Sequence, residues 1–259
     1  MASGRRVSAM IEGNAPVKLP IPLITYALRE KCVRDLRLFM LMKILDPDAV
    51  SRLDKVRVQE YCDLLGLKCT KTAKSSIERL AAKGWISIND DLLYTRSVRN
   101  ITKRYTGEKG PRTFCERGDI DHFQGFCIAA QVTFMVNRRK FASRNLERRR
   151  EFERRSEARK RGRVTQSELP FNVNFVSSQM LAKDLAISVS TAHEYKKLAK
   201  DSGYLTFGRA FSALPIEVSE VNHYRKYGPH DPNRVIQRKG EVLLRRPDIL
   251  RSSTIKIVS

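Results

Sequence analysis

The chain has 259 residues, with 50 Lys and Arg against 28 Asp and Glu and a formal net charge of +22. Hydrophobic residues make up 41%, which excludes wholesale disorder, and the length suits one large or two small domains. Cations in this excess repel one another and are relieved by a polyanion; nucleic acid is the first expected partner, an anionic membrane surface the second, and a small acidic substrate would not need so many.

Residues 1–20 read as a flexible tail. Its cations are not followed by an apolar stretch, so no secretory leader is expected, and Pro16, Pro20 and Pro22 oppose a helix. From Leu28 the positions Leu28, Cys32, Leu36, Phe39, Met40 and Ile44 form a helical stripe, with Arg29, Arg34 and Arg37 on the other faces. Asp46-Pro47-Asp48 ends it, and a short extended piece follows near Lys55-Val56-Arg57-Val58. Tyr61, Leu64 and Leu65 give a short helix stopped by Gly66. A second helix carries Ala73, Ile77, Leu80 and Ala81; Thr70 or Thr72 can cap its start, and Gly84 ends it. Trp85-Ile86-Ser87-Ile88, a turn at Asn89-Asp90-Asp91 and Leu92-Leu93-Tyr94-Thr95 make a hairpin. This order, carried by Tyr61–Leu67, Ser75–Leu80 and Lys83-Gly84-Trp85-Ile86, resembles the winged helix-turn-helix family.

Gly107-Glu108-Lys109-Gly110-Pro111 reads only as a basic turn. Asp119 to about Leu146 can supply the first helix of a second unit, with Phe123, Cys127, Ala130 and Phe134 as its buried stripe. The longest apolar run, Phe126 to Val136, is about half of the ~20 residues a membrane helix needs and contains Gln131 and Thr133, so it reads as a core helix. Residues 138–163 hold 13 cations against 4 anions, two fifths of the net excess in a tenth of the chain. Glu147, Glu151 and Glu157 each have a cation three or four positions later, which supports an isolated helix. Its apolar residues thin out after Leu146, so the first half can pack on a core while the second projects as a basic arm along a phosphate backbone; a merely solvated helix is the bland alternative.

Residues 175–207 repeat the first unit. Leu181-Ala182-Lys183-Asp184-Leu185-Ala186-Ile187-Ser188 is the scaffold helix and turn, Ser190-Thr191-Ala192 opens a second helix, and Gly203-Tyr204-Leu205 is the exit. Setting Gly203 on Gly84 aligns Ala192 with Ala73 and Ala199 with Leu80, with one extra residue in the turn of the first copy. This too resembles the winged helix-turn-helix family. Thr206–Phe211 and Val235–Leu244 are candidate hairpins for the wing, the latter around Lys239-Gly240, and His223 to Pro232 reads as a loop.

The expected fold is mainly α with small β-hairpin wings: a tail over 1–20, a winged-helix domain over 21–102, a connecting region with a long basic helix over 103–163, and a second winged-helix domain with a C-terminal β extension over 164–259. In such units an exposed helix face enters the major groove. With Ala73, Ile77 and Leu80 inward, the first copy offers Lys71, Thr72, Lys74, Ser75, Glu78 and Arg79. With Ala192, Tyr195 and Ala199 inward, the second offers Ser190, Thr191, His193, Glu194 and Lys197. Glu194 is read as capping the helix in a Thr191-x-x-Glu194 box, or else accepting from a cytosine amine. Expected phosphate contacts are Arg96, Arg99, Arg138, Arg139, Arg148, Arg149, Arg155, Arg209, Arg238 and Lys239.

Five cysteines at irregular spacing include no Cys-x-x-Cys pair, which fits a reducing cytoplasm, nucleoid-associated or in a host cell. Cys115, His122 and Cys127 lack a fourth ligand and read as free thiols beside a histidine. Asp119-Ile120-Asp121-His122 reads as helix capping rather than a metal nuclease site. With no Gly-x-x-x-x-Gly-Lys-[Ser/Thr] and no His-x-His, no enzyme, cofactor, metal or small-molecule substrate is expected. The expected partner is double-stranded DNA, with a homodimer left open and no membrane. Paired units on a basic chain, with Lys18-Leu19-Pro20 leading into the first, also resemble plasmid and phage replication initiators in architecture. A transcriptional regulator is set slightly ahead of an initiator, and a sequence-independent architectural or RNA-binding protein is the rival class.

Overall fold

The computed structural model describes residues 15–107, 109–161, 174–230 and 232–258, with backbone only at 150–161, Ala210 and Pro232. It is mainly α with some β. Strand β1 (Val17–Pro20) pairs antiparallel with β5 (Arg112–Cys115). The expected tail therefore ends before Val17. Alternation explains the strand: Leu19, Thr113 and Cys115 face the core, while Lys18 and Arg112 face out. Pro20 and Pro22 open helix α1 (Ile21–Arg29) instead of opposing it, because the first helical turn has no use for their missing N–H groups.

Helix α2 (Val33–Leu45) is separate from α1. The single stripe expected from Leu28 is broken at Lys31, whose backbone is left-handed (φ 54°). Val33, Leu36, Leu38, Phe39, Met40, Leu41, Met42 and Ile44 are all buried, so α2 is a central helix covered on most sides, with Arg34 exposed. Strand β2 lies at Val50–Arg52, earlier than expected, because Asp54 accepts the Arg57 N–H and starts α3 (Lys55–Leu65) where an extended piece was anticipated. Helix α4 (Thr70–Ala82) follows, then the hairpin of β3 (Ile86–Asn89) and β4 (Leu92–Thr95), as expected. These strands form a sheet in the order β2-β4-β3. Helix α5 (Val98–Thr106) packs on α1 and β1.

The second unit is built in the same sequence. Helix α6 runs Phe123–Arg161, starting after a tight turn at Arg117–Ile120 and continuing well past Leu146. At its 39 residues it is about 58 Å long. It is buried almost all round from Phe126 to Val136, then exposes Arg138, Phe141, Arg144 and Leu146 through Arg149. Strand β6 (Phe175–Val176), α7 (Ser178–Leu185), α8 (Val189–Asp201), β7 (Leu205–Ala213) and β9 (Glu241–Ser253) complete it, with sheet order β6-β9-β7. Residues 206–211 are not a hairpin of their own; they lie within β7, which pairs with β9 over most of its length. The hairpin at Lys239-Gly240 does form, between β8 (Val235–Arg238) and β9, with both turn residues at positive φ. Helix α9 (Val221–Tyr227) occupies half of the expected loop, because Val221 joins Val235, Val242 and Leu244 in a small satellite core.

Both units thus run helix, strand, helix, helix, strand and a closing strand that lies between the other two, and the second unit inserts α9 and β8 before its closing strand, which makes its sheet four-stranded. The repeat is closest at α4 and α8. Each has 13 residues, and a shift of 119 places Thr70 on Val189, Ala82 on Asp201 and Gly84 on Gly203. The preceding helices end alike in a left-handed residue, Gly66 (φ 63°) in one unit and Ala186 (φ 52°) in the other.

One continuous buried cluster, from Leu19 to Leu205, runs through both units. The buried amide of Gln131 on α6 sits at their junction. It pairs with the Thr25 hydroxyl on α1 (2.8 Å) and donates to Asp184 on α7 (2.5 Å), whose backbone carbonyl accepts from Arg29. Farther along, the Tyr204 hydroxyl donates to Asp119 (2.9 Å) and Thr133 bonds Ser253 (2.7 Å).

A left-handed backbone strains any residue with a Cβ by about 1 kcal/mol. Ala186→Gly should therefore stabilise the chain by about that amount and Gly66→Ala should destabilise it similarly. Chemical denaturation of the two variants checks this, and opposite shifts of the midpoint are expected.

Candidate nucleic-acid interface

On α4, Lys71, Thr72 and Lys74 are exposed and Ser75 is half-buried, while Ala73, Ser76, Ile77 and Leu80 are buried. The exposed polar residues of the first two turns therefore point away from the core. Arg79 does not join them as a free group. Its guanidinium grips Asp35 of α2 at 2.9 Å and also donates to Ser75 and Ser76. Lys83 takes the other Asp35 oxygen at 2.8 Å. Asp35 is 4% exposed. Burial alone would raise its carboxyl, but the hydrogen bonds from Arg79 and Lys83 outweigh that and hold it below the ordinary carboxylate range. Arg79 is thus an anchor fixing the rotation of α4 about its axis, and Lys83, absent from the expected site, is its companion. Asp35, the one carboxylate of α2, was the signal.

On α8, Ser190, His193, Glu194 and Lys197 are exposed and Thr191 is half-buried. The expected Thr191-x-x-Glu194 box does not form. The helix starts one turn earlier than that box requires, and Ser188 caps it by accepting the Thr191 N–H at 3.1 Å. Glu194 stands 3.8 Å from His193 Nδ1 instead. Likewise no threonine caps α4; Cys69 occupies the cap position, with its Sγ 3.4 Å from the Thr72 hydroxyl.

Lys196 was not read as part of the site, yet it organises it. It stands at the repeat position of Ile77 and is 7% exposed. Its ammonium donates to the Val176 carbonyl (2.8 Å) and to Asp248 (2.9 Å), and lies 5.0 Å from the centre of the Phe207 ring. One cation therefore ties α8 to three of the four strands of its sheet, β6, β9 and β7. Beside it, His193, Lys197, Lys200, Arg209 and Arg245 line a cleft of about 300 Å³ between helix and sheet. The structure thereby brings Arg209 beside two other expected residues, His193 and Lys197, 16 and 12 positions before it, and adds Lys200 and Arg245, the latter 3.8 Å from Asp248.

The other expected cations are dispersed. Arg238 and Lys239 are exposed at the β8–β9 turn. Arg96 is exposed after β4, and Arg99 is exposed in the first turn of α5, where it lines a different cleft. Arg138, Arg148 and Arg149 are exposed on α6; the side chain of Arg155 lies outside the described residues. Arg139 is half-buried and donates to the Phe175 carbonyl at 2.6 Å, so it holds β6 to α6 rather than facing a ligand.

The last turns of both site helices lie by the first turns of α2. The last turn of α4 is held at Asp35 of α2. The last turn of α8 lies so close to α6 that a Cβ on Gly125 would stand 2.4 Å from the Ser202 Oγ. Arg34 and Arg37 of α2 share a cleft with Leu198 and Ser202 of α8. Each helix is about 20 Å long, so the exposed first turns lie at the ends remote from this junction.

Four cysteines are buried and Cys69 alone is exposed. Burial pushes the Cys115 and Cys127 thiols up, and His122 is exposed; among the described residues no group of three His, Cys, Asp or Glu could hold a metal ion. Asp119 accepts from the Glu116 N–H in a reciprocal cap, as its sequence position suggested. Among the described residues no helix is long and apolar enough to cross a membrane.

Two outcomes are expected. A carboxylate held below its unfolded value stabilises the fold above the ordinary carboxylate range and loses that contribution as pH falls through its folded value. Asp35→Asn should therefore cost about 3 kcal/mol near pH 7, and denaturation curves of variant and parent should converge in acid. Hydrogen bonds from Thr72 lower the Cys69 thiol. Iodoacetamide on the native protein should accordingly modify Cys69 and spare the other four, and Thr72→Ala should slow the reaction; peptide mass spectrometry reads both.

In comparisons with known proteins, no family model matches the chain, and neither a curated protein nor a solved structure matches it significantly.

Proposed function

We propose that the chain is a sequence-specific double-stranded DNA-binding protein, a transcriptional regulator, made of two winged-helix units. The observation that carries this reading is the repeat itself. Two units share a core order of helix, strand, helix, helix and strand, closed by a strand that lies between the other two, with α9 and β8 inserted before that last strand in the second unit, and each turns the polar first turns of its third helix outward. An α-helix of this kind fits the major groove, where base edges present distinct donor and acceptor patterns. Lys71, Thr72, Lys74 and Ser75 are the readers in the first unit, and Ser190, Thr191, His193, Glu194 and Lys197 in the second. Arg209, Lys200 and Arg245 face phosphate from the cleft beside α8. The exposed half of α6 adds sequence-independent attraction through Arg138, Arg148 and Arg149.

The shared core makes the second contact intramolecular, and avidity then exceeds either affinity by about 10²–10⁴ when the spacing fits. A replication initiator is the second reading, favoured by two units held on one core, an arrangement suited to gripping an extended origin sequence.

Selection from a random duplex pool at physiological salt should enrich a bipartite motif. Inserting five base pairs between its halves should abolish tight binding, because half a helical turn swings one half-site to the opposite face. Lys71→Ala/Lys74→Ala and His193→Ala/Lys197→Ala should each lower specific affinity by at least about tenfold, at ~1–3 kcal/mol per good base contact, while general binding and most of its salt dependence persist. An unchanged specificity ratio would mean the helices are not the readers and would leave the architectural or RNA-binding class. Melting of the bound duplex, seen as permanganate-reactive thymines, would select the initiator.

A further inference from the structure

We infer that the first unit carries a separate site for a phosphorylated small molecule of mononucleotide size, in the cleft between β1, α5 and Lys109-Gly110. The cleft has a volume of about 580 Å³, within the range of small-molecule sites. Lys18, Arg99, Lys109 and Arg112 line it together with Val17 and Val98. The four cations come from four different segments of the chain. Among the described residues none of the four side chains has an ion pair or a hydrogen bond, and no carboxylate is among the described lining residues. Other cations of the fold are held: Arg57, Arg79, Lys83, Arg117 and Lys196 each have a carboxylate within 4 Å.

The backbone holds these cations together against their repulsion. In the β1–β5 register Pro20 opposes Arg112 and Lys18 opposes Phe114, so Lys18 and Arg112 are diagonal neighbours on one face of the ribbon. The turn carrying Lys109 is tied down where the Ile21 N–H donates to the Pro111 carbonyl at 2.8 Å. Arg112 exchanges both its backbone hydrogen bonds with Val258, at 2.7 and 2.8 Å. A fixed ring of unpaired cations selects a multiply charged anion, since each further negative oxygen meets another donor. Val17 and Val98 offer apolar surface for an organic body behind it. A phosphate ester satisfies both demands, and inorganic phosphate only the first.

This site does not depend on the DNA-binding reading, and its test uses no DNA in the first arm. Adenosine 5′-diphosphate, inorganic pyrophosphate and adenosine are titrated into the full chain by calorimetry. Adenosine diphosphate should bind saturably at one per chain and raise the melting temperature; pyrophosphate should bind at least tenfold more weakly and adenosine not at all. Lys18→Ala/Arg112→Ala should weaken adenosine diphosphate at least tenfold, whereas the charge-matched pair Lys55→Ala/Lys103→Ala should leave it unchanged. Circular dichroism and melting confirm that both variants fold, and Arg99→Gln, in an exposed helix turn, serves if the strand pair does not. Absence of saturable binding, or equal weakening by both pairs, overturns the proposal. In a second arm the same variants meet a duplex; if the cleft pair weakens only the duplex, the phosphate is that of the DNA backbone and the small-molecule site is refuted.

Discussion

Both halves of the molecule bury their central helices in one core, and that constraint governs everything placed on its surface. Helix α2 is covered on most sides and α6 nearly all round over its first half, so neither unit can turn on the other without exposing apolar surface at about 25 cal/mol per Å². Apolar contact alone tolerates small slips of register. The Gln131 amide removes that freedom. Its oxygen and nitrogen are both committed, one to α1 and the other to α7, and a slip would leave a buried polar group unpaired at a cost of about 1–3 kcal/mol. The amide adds little net stability and much definition. The spacing of the two polar helices is therefore set inside the protein.

The same logic fixes each of those helices within its unit, by two different sets of residues. In the first, Asp35 comes from the core helix and meets cations on α4. In the second, the cation Lys196 comes from the site helix itself and meets Asp248 on β9. The repeat positions are not conserved in chemistry: Ile77 corresponds to Lys196, and Leu198 to Arg79. What recurs is a charge pair with one buried member, Asp35 in the first unit and Lys196 in the second, that specifies how far the helix is rotated about its axis. Breaking such a pair costs more than forming it gains, because a lone buried charge remains. Apolar packing would be at least as stabilising but would constrain the rotation less.

Periodicity and glycine positions made much of the fold legible. The alignment of Gly203 on Gly84, with the flanking alanines, carries over to two helices that coincide end to end, including the one-residue difference in the preceding turn. Local signals misled where a long-range partner decided the outcome. Val17–Pro20 became a strand only because Arg112–Cys115 lies beside it, and β7 was unreadable as one strand because its partner begins 28 residues after it ends. The break at Lys31 followed from no proline or glycine. For the site, Lys71, Lys74, His193 and Lys197 are exposed as expected, and so is Arg79, but Arg79 is held by Asp35; Arg139 is half-buried on a carbonyl, and Lys196 was not anticipated, because residue type reveals a cation and not whether a carboxylate or carbonyl elsewhere in the chain already holds it.

That division of the cations, into those already held and those still free, is more informative than the net charge. A held cation such as Arg79 or Lys196 has exchanged water for protein partners and contributes to shape. A free one keeps its hydration and counterions, and releasing those counterions to a polyanion is the source of salt-dependent affinity, at roughly 0.9 ion per phosphate neutralised. Free cations in the described structure collect at the first turns of α4, at the cleft beside α8, along the exposed half of α6 and around the cleft at β1. The first two flank helices whose rotation is fixed by buried charge, which suits reading of a particular surface. The third rises from the core on a straight rod, which suits attraction without reading. The fourth is drawn from four segments and stapled at its base, and such preorganisation favours a compact anion over a long one, because the cost of assembling the donors has been met before the ligand arrives.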